Sequence, residues 1–152
     1  MVACGTQLTE FFTLTVGGET ATIVDNLEAR FEVPETSQYA FMQIGRGGQD
    51  STNIDNVYTL DIILQSGVEG TYGKENIDFL SISTFTPFFN VTGQLFCQGD
   101  CQDLNSFQIT INENGGPDGH FGGAFNGEGV FRDAAGNVAT SQFSGIFRVP
   151  IK

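Results

Sequence analysis

The feature that most constrains this chain is a hydrophobic alternation with a period of two, interrupted by glycine-rich turns. It is most distinctive in the last third, where alternate positions of one segment are Phe121, Gly123, Phe125, Gly127, Gly129 and Phe131. Residues two apart lie on the same face of a β-strand, so this segment predicts a strand with large and absent side chains interleaved. Such a face lets a sheet bend sharply, or lets aromatic rings from a facing layer lie against bare backbone.

The same alternation recurs along the chain and predicts about ten short strands. In the first of them, residues 11–16, the inward set is Phe12, Leu14 and Val16, and the turn dipeptide Gly17-Gly18 follows. The other strands are predicted at 20–24, 29–33, 39–44, 57–65, 78–85, 88–96, 107–111, 121–131 and 143–149. No segment has a helical period, so the sequence predicts an all-β fold, a single antiparallel β-sandwich or flattened barrel.

The domain organisation follows from the even spacing of these strands. No low-complexity linker separates them, so residues 8–152 are predicted to form a single β domain. Residues 1–7 are predicted to be an N-terminal segment, either an anchored or a flexible end. The 15 Phe residues supply material for a core, and the Phe-rich faces are interpreted first as core.

The charge balance excludes two classes of partner. Eighteen acidic residues against six basic ones give a formal net charge of -12. This charge repels phosphate backbones, which argues against binding to nucleic acid or docking on anionic lipid. The acidity is interpreted as a solubility device, with cation binding or avoidance of self-association as the functional alternative.

The chain has three cysteines, an odd number, and the pairing predicted for two of them indicates an oxidising compartment. Cys97 and Cys101 flank the turn-like tripeptide 98–100 and are predicted to form a small disulfide that clamps a loop. Cys4 follows small residues, as at the end of a bacterial lipoprotein signal. It is therefore either lipidated or an unpaired thiol, and a lipid anchor at Cys4 would be the chain's link to a membrane.

One turn carries candidate metal ligands. Calcium prefers oxygen ligands from loops, so a weak calcium site is predicted at Asn112, Glu113, Asn114 and Asp118. A second grouping is Asn53 with Asp55. The alternative is that turn chemistry alone selects these residues. No other cofactor is predicted.

His120 is the single histidine, and glycines flank the turn in which it lies. A lone His beside a turn is typical of a solvated loop residue, and no Gly-x-Ser-x-Gly motif accompanies it. The sequence therefore predicts a protein that is not an enzyme and has no catalytic residue.

Several short motifs together resemble a known type of domain. They are Gly17-Gly18-Glu19, Gly70-Thr71-Tyr72, and the segments 121–125, 133–137 and 145–151. Their order is similar to that in small secreted or lipid-anchored all-β domains of the Bacteroidetes type, whose function is unknown. The resemblance implies an all-β fold and a location in the cell envelope, and it assigns no catalytic residue. The Cys97 to Cys101 element is not part of that pattern.

Three functions are weighed. The first is a noncatalytic extracytoplasmic β domain, acting as a structural, adhesive or binding module on a bacterial cell surface with a protein or glycan partner. The second is a lipocalin-like barrel that carries a small hydrophobic ligand, lined by Phe121, Phe125 and Phe147. The third is a subunit of a surface filament, in which a strand exchanged between copies produces a homo-oligomer.

Overall fold

The period-two alternation produces strands at almost every predicted position. The computed structural model describes residues 9–24, 27–44, 58–84, 91–99 and 101–152. Within these ranges the chain is all β: eleven strands form one curled antiparallel sheet, a half-barrel, and the one helical element is the 3-10 turn Lys74–Asn76. The strands are β1 (Phe11–Val16), β2 (Glu19–Ile23), β3 (Ala29–Val33), β4 (Gln38–Ile44), β5 (Tyr58–Ser66), β6 (Gly70–Gly73), β7 (Ile77–Thr84), β8 (Gly93–Gln98), β9 (Leu104–Asn114), β10 (His120–Arg132) and β11 (Val138–Pro150).

The bounds differ from the predicted ones mainly where polar or small residues continue a strand. β6 is not among the predicted strands, because its Gly-rich sequence has no hydrophobic alternation; its residues nevertheless pair with β9. β9 and β11 are longer than predicted for the same reason, because pairing with β10 extends them through exposed polar positions. Residue 57 of the predicted strand 57–65, residue 85 of 78–85 and residues 88–90 of 88–96 lie outside the described residues.

The sheet runs in the order β2-β1-β11-β10-β8-β7-β5-β4-β3, and β9 pairs with β10 and β6. Its centre is the long hairpin of β10 and β11. At the end of β10, Arg132 pairs with Gln94 and so joins the two parts of the sheet. At the other end of β11, Ile151 forms a parallel bridge with Ala29, and the backbone N–H of Lys152 donates to the carbonyl oxygen of Ala29 at 2.9 Å.

Phenylalanine and glycine face each other across the β10–β11 hairpin. Phe125 lies opposite Gly145, and Phe143 lies opposite Gly127. A Cβ atom on Gly145 would overlap the ring of Phe125, and one on Gly127 would lie 2.6 Å from Cζ of Phe143. The rings therefore do lie against bare backbone, as predicted, but that backbone belongs to the neighbouring strand and not to a facing layer.

The other half of the sheet fills its inner face with aliphatic side chains. The buried residues of β4, β5, β7 and β8 include Ala40, Met42, Leu60, Ile62, Leu64, Leu80, Ile82 and Leu95. The inner face of β1, β9, β10 and β11 is instead rich in rings, among them Phe12, Phe107, Phe121, Phe125, Phe143 and Phe147. Both sets belong to one core cluster.

Two hairpin turns have a defined geometry, and the first of them was predicted. Gly17 and Gly18 join β1 to β2 with φ angles of 61° and 90°, a two-residue loop that favours glycine at both positions. In the loop after β10, the Asp133 carboxylate accepts hydrogen bonds from the backbone N–H groups of Ala135 and Asn137 at 3.0 and 2.9 Å. A further bond from the Asn137 side chain acts with them to lower the pKa of Asp133.

Candidate binding surfaces

Four apolar side chains lie together on the outer face of β4, β5, β7 and β8. Phe41 pairs with Ile63, Ile63 pairs with Phe79, and Phe96 lies one strand further, on β8. Phe41 and Phe96 are 37% and 45% exposed, and Phe79 and Ile63 are partly buried. We name these four residues the aromatic face. The inner face of the same strands already forms the core, so these rings are surplus to it.

The two nearest rings of the aromatic face hold each other in place. Phe79 and Phe96 pack edge to face, with ring centroids 5.3 Å apart and ring planes at 88°. This geometry suits the charge distribution of aromatic rings and leaves the flat side of one ring uncovered by the other. Phe79 and Phe96 thus limit each other's orientation within the aromatic face.

A polar row runs beside the aromatic face. Gln43 pairs with Asp61, Asp61 pairs with Ser81, and Ser81 pairs with Phe96. The Gln94 amide donates to the Ser81 hydroxyl oxygen at 3.0 Å. Burial raises the pKa of Asp61, and a hydrogen bond from the Gln43 side chain offsets part of this effect. The row therefore places an amide and a carboxylate next to exposed rings.

The predicted disulfide lies at the edge of this surface. Cys97 and Cys101 are bonded, with their Cα atoms 5.0 Å apart. The Sγ atom of Cys101 also lies 3.8 Å from the carbonyl oxygen of Phe96, the residue that precedes Cys97. The bond thus ties the end of β8 to the start of the following loop, directly beside an exposed ring.

The outer face of the other half of the sheet has a different chemistry. Two neighbouring rows cross β6, β9, β10, β11, β1 and β2, and none of their members is charged. The rows are Thr71, Thr110, Ala124, Ile146, Thr13, Thr22 and Gly73, Gln108, Asn126, Ser144, Thr15, Thr20. We name this surface the hydroxyl face, after its threonines and serine.

Hydroxyl groups on this face bond mainly to one another across strands. Thr15 and Thr20 are joined by a 2.6 Å hydrogen bond between their Oγ1 atoms, and Thr71 and Thr110 by one of 3.1 Å. The Thr13 hydroxyl donates to the carbonyl oxygen of Ile146 at 3.2 Å. Such cross-strand pairs stabilise the sheet.

A groove of about 770 Å³ opens at one end of the hydroxyl face. Its walls come from the β1–β2 turn and from β9, β10 and β11. The polar side chains that line it are Thr15, Ser106, Asn126, Glu128, Thr140, Ser141, Gln142 and Ser144. We name it the polar groove. One oxygen of Glu128 accepts a hydrogen bond from the Asn105 amide at 3.2 Å, which fixes the direction of the carboxylate.

The residues of the predicted calcium site have other partners in the structure. Both carboxylate oxygens of Glu113 accept hydrogen bonds from Arg148, at 2.8 and 3.1 Å. The Asn114 amide donates to the Ser37 hydroxyl and to the Gly67 carbonyl oxygen. Asn112 and Asp118 are exposed. In the part of the chain that the structure describes, no group of three His, Cys, Asp or Glu side chains is placed to hold a metal ion. The calcium site stays a prediction, and Asn53 and Asp55 lie outside the described residues.

The remaining sequence-predicted residues are at the two ends of the chain. His120 is the first residue of β10, and its Nε2 atom lies 2.9 Å from a carboxylate oxygen of Glu10. It therefore contacts an acidic partner, where a solvated loop residue was expected. Cys4 and the predicted segment 1–7 lie outside the described residues. No helix in the described ranges is long and apolar enough to cross a membrane.

Phe121, Phe125 and Phe147, the predicted lining of an apolar pocket, are buried core residues. The Phe147 ring centroid lies 5.7 Å from that of Phe121 and 6.4 Å from that of Phe125, so Phe147 packs against both of the other rings. None of them lines the polar groove. The interpretation of these rings as core is confirmed, and the hydrophobic carrier stays a prediction.

The filament alternative required a free strand near the N terminus. β1 pairs with β2 on one side and with β11 on the other, within its own chain. β2 is the last strand of the sheet on that side. Strand exchange between copies stays a prediction that the mass in solution decides.

The aromatic face was not among the predicted sites, although the alternation contains its signal. In β5 the buried residues are Leu60, Ile62 and Leu64, so Ile63 is out of phase and must lie outside. Phe79 and Phe96 are likewise out of phase with the buried residues beside them. Pairing register brings these separate exceptions together, and register is the information that the alternation lacks.

Comparisons with known proteins add no family to this description. No protein-family model matches the chain, and no curated protein or solved structure matches it. The resemblance to Bacteroidetes-type domains therefore stays a prediction, and the function rests on the surfaces described above.

Proposed function

We propose that this chain is a noncatalytic extracytoplasmic binding module of a bacterial cell surface, and that its aromatic face binds a neutral polysaccharide. The observation that carries the proposal is the exposure of Phe41 and Phe96 on strands whose inner face is already packed. Contiguous exposed apolar surface is characteristic of interaction sites. The rings also have hydrogen-bonding groups beside them, which sets this patch apart from a purely apolar contact.

The chemistry of the face favours a sugar over an apolar partner. A pyranose ring presents apolar C–H groups above and below its plane and hydroxyl groups around its rim. Phe41, Phe79 and Phe96 match the first, and the Gln43 amide and Asp61 carboxylate match the second. The formal charge of -12 disfavours acidic polymers, so the polysaccharide is a neutral one.

Two further parts of the proposal concern location and closure of the sheet. The Cys97–Cys101 bond supports an oxidising compartment, because such bonds are rare in the reducing cytosol.

We also propose that the curled sheet closes as a flattened barrel. The Ala29–Ile151 bridge supports this, since it brings β3, at one end of the strand order, to the residue that follows β11.

A depletion assay tests the binding. The purified chain is incubated with insoluble cellulose, chitin, mannan and β-1,3-glucan, and the protein left in solution is measured. The proposal expects depletion by at least one of these polysaccharides, and a loss of that depletion in the double variant Phe41→Ser/Phe96→Ser. Both residues are exposed, so the variant is expected to unfold at nearly the same temperature as the original chain.

Ile146→Ser is the matched control. Ile146 is 57% exposed but lies on the hydroxyl face, so its replacement removes a similar apolar side chain from the wrong surface. The control is expected to bind like the original chain. Absence of depletion by all four polysaccharides, or equal loss in the Ile146 variant, would overturn the proposal. Capture of a protein partner through Phe41 and Phe96 in place of any glycan would overturn it as well.

A further inference from the structure

The polar groove has features that the hydroxyl face does not need for its own stability. The amide side chains of Asn126 and Gln142 form no hydrogen bond with another residue in the described ranges. Both residues line the groove, where Ser144 and Thr140 add hydroxyl groups. Thr15, which also lines the groove, bonds to Thr20, and elsewhere on the face Thr71 bonds to Thr110. The groove therefore places two amides without a protein partner in a concave site, and polar groups in concave sites are what orient a bound ligand.

The walls of the groove restrict the class of ligand. Glu128 is the one charged side chain among its lining residues, and with the net charge of -12 it disfavours phosphates and other anions. Gly17 and Gly18 form one wall, and a side chain on Gly18 would meet no atom within 4 Å. Backbone is thus open to close approach there. Amides, hydroxyls and one oriented carboxylate are the groups that bind the hydroxyls of a neutral sugar.

We infer that the polar groove is a second, separate binding site, which holds one or two units of a neutral sugar by hydrogen bonds from Asn126, Gln142, Thr140 and Ser144. Glu128 accepts from a sugar hydroxyl through the oxygen that Asn105 does not occupy. This site contains no exposed aromatic ring and does not depend on the aromatic face. With both sites active, one chain contacts two sugar segments at once.

The test is a titration of ¹⁵N-labelled full chain with cellobiose, maltose and chitobiose, followed by two-dimensional NMR. The inference expects at least one disaccharide to shift the amide signals of Gly17, Gly18, Asn126 and Gln142. In Asn126→Ala/Gln142→Ala the affinity is expected to fall about tenfold, since two hydrogen bonds are lost. Gln102→Ala, an exposed amide outside the groove, is the matched control and is expected to keep the original affinity.

The outcomes separate this site from the aromatic face. Phe41→Ser/Phe96→Ser is expected to leave the groove shifts unchanged, whether or not the aromatic face binds polysaccharide. If Asn126→Ala/Gln142→Ala loses its dispersed spectrum, Thr140→Val takes its place, with a smaller loss of affinity expected. Shifts confined to residues near Phe41 and Phe96, or no shift with any of the three sugars at millimolar concentration, would overturn the inference.

Discussion

The two halves of the sheet use phenylalanine in opposite ways. In β1, β9, β10 and β11 the rings point inward, where Phe12 and Phe147 stack with their centroids 5.5 Å apart. In β4, β7 and β8 the rings of the aromatic face point outward, over an aliphatic core. The outer surfaces are reversed accordingly, with hydroxyls over the ring-filled half and rings over the aliphatic half.

The inward rings contribute to stability, whereas the outward rings form the surface that we propose for binding. Some inward rings lie opposite a glycine, as Phe125 lies opposite Gly145, whereas Phe12 pairs with Phe147 and Ile23. Outward rings need no such partner, and Phe41, Ile63 and Phe79 follow one another on adjacent strands. A glycine opposite a ring therefore marks a core ring here, whereas a ring beside amides marks the surface that we propose for binding.

The largest expected difference in unfolding free energy between the two halves comes from truncating one ring in each of them. Phe147→Ala leaves a cavity in the core and is expected to lower the free energy of unfolding by about 3–5 kcal/mol. Phe96→Ala removes an exposed ring and one edge-to-face contact, so it is expected to cost less than about 1 kcal/mol. Urea unfolding of both variants gives the comparison. Equal losses would mean that the two halves do not differ in the way described.

A smaller effect is expected from filling the space beside an inward ring. Gly145→Ala places a methyl group against the Phe125 ring and the Thr13 carbonyl oxygen. Overpacking of this kind is expected to lower the free energy of unfolding by about 1–3 kcal/mol. Ser144→Ala, one position along on the outer face, is the control and is expected to stay within about 0.5 kcal/mol. A neutral Gly145→Ala would show that the rings tolerate a side chain opposite them.

Much of this architecture, but not the candidate site, follows from the sequence. The inward set Phe12, Leu14 and Val16 was predicted and is fully buried, because alternation alone decides which side of a strand faces the core. The grouping of Phe41, Phe79 and Phe96 was not predicted, because it depends on how distant strands pair. Residues 41 and 96 are far apart in the chain, and only the order β8-β7-β5-β4 brings them onto one surface.

Asp61 lies beside the aromatic face, and its substitution tests both stability and binding at the proposed surface. Because burial raises the pKa of Asp61, ionisation of this carboxyl lowers the free energy of unfolding at pH values above the raised pKa. Asp61→Asn is therefore expected to raise the free energy of unfolding at neutral pH, by less than about 1 kcal/mol after solvent screening. The same change is expected to weaken polysaccharide binding. A variant that is less stable, or that binds more tightly, would contradict this role.

The smallest expected effect concerns acid sensitivity on the ring-filled half. The Arg148 guanidinium lowers the pKa of Glu113, so the pair stabilises the folded chain above the ordinary pKa of 4.5. That contribution is lost as the pH falls through the lowered folded-state pKa. Glu113→Gln is therefore expected to flatten the decrease of unfolding free energy on acidification. Glu35→Gln, in the turn after β3, serves as the control, and an identical decrease in both variants would refute the assignment.

The central claim is that inward phenylalanines form the core and outward ones form a binding surface. Its most direct test is fluorine NMR of the chain labelled with 4-fluorophenylalanine. Single substitutions assign the signals, and the polysaccharide that depletes the protein is then added in soluble, shortened form. The account predicts that the signals of Phe41, Phe79 and Phe96 shift, while those of Phe12 and Phe147 do not. Shifts of the core signals with unchanged outer ones would contradict it and would indicate a ligand between the inward rings.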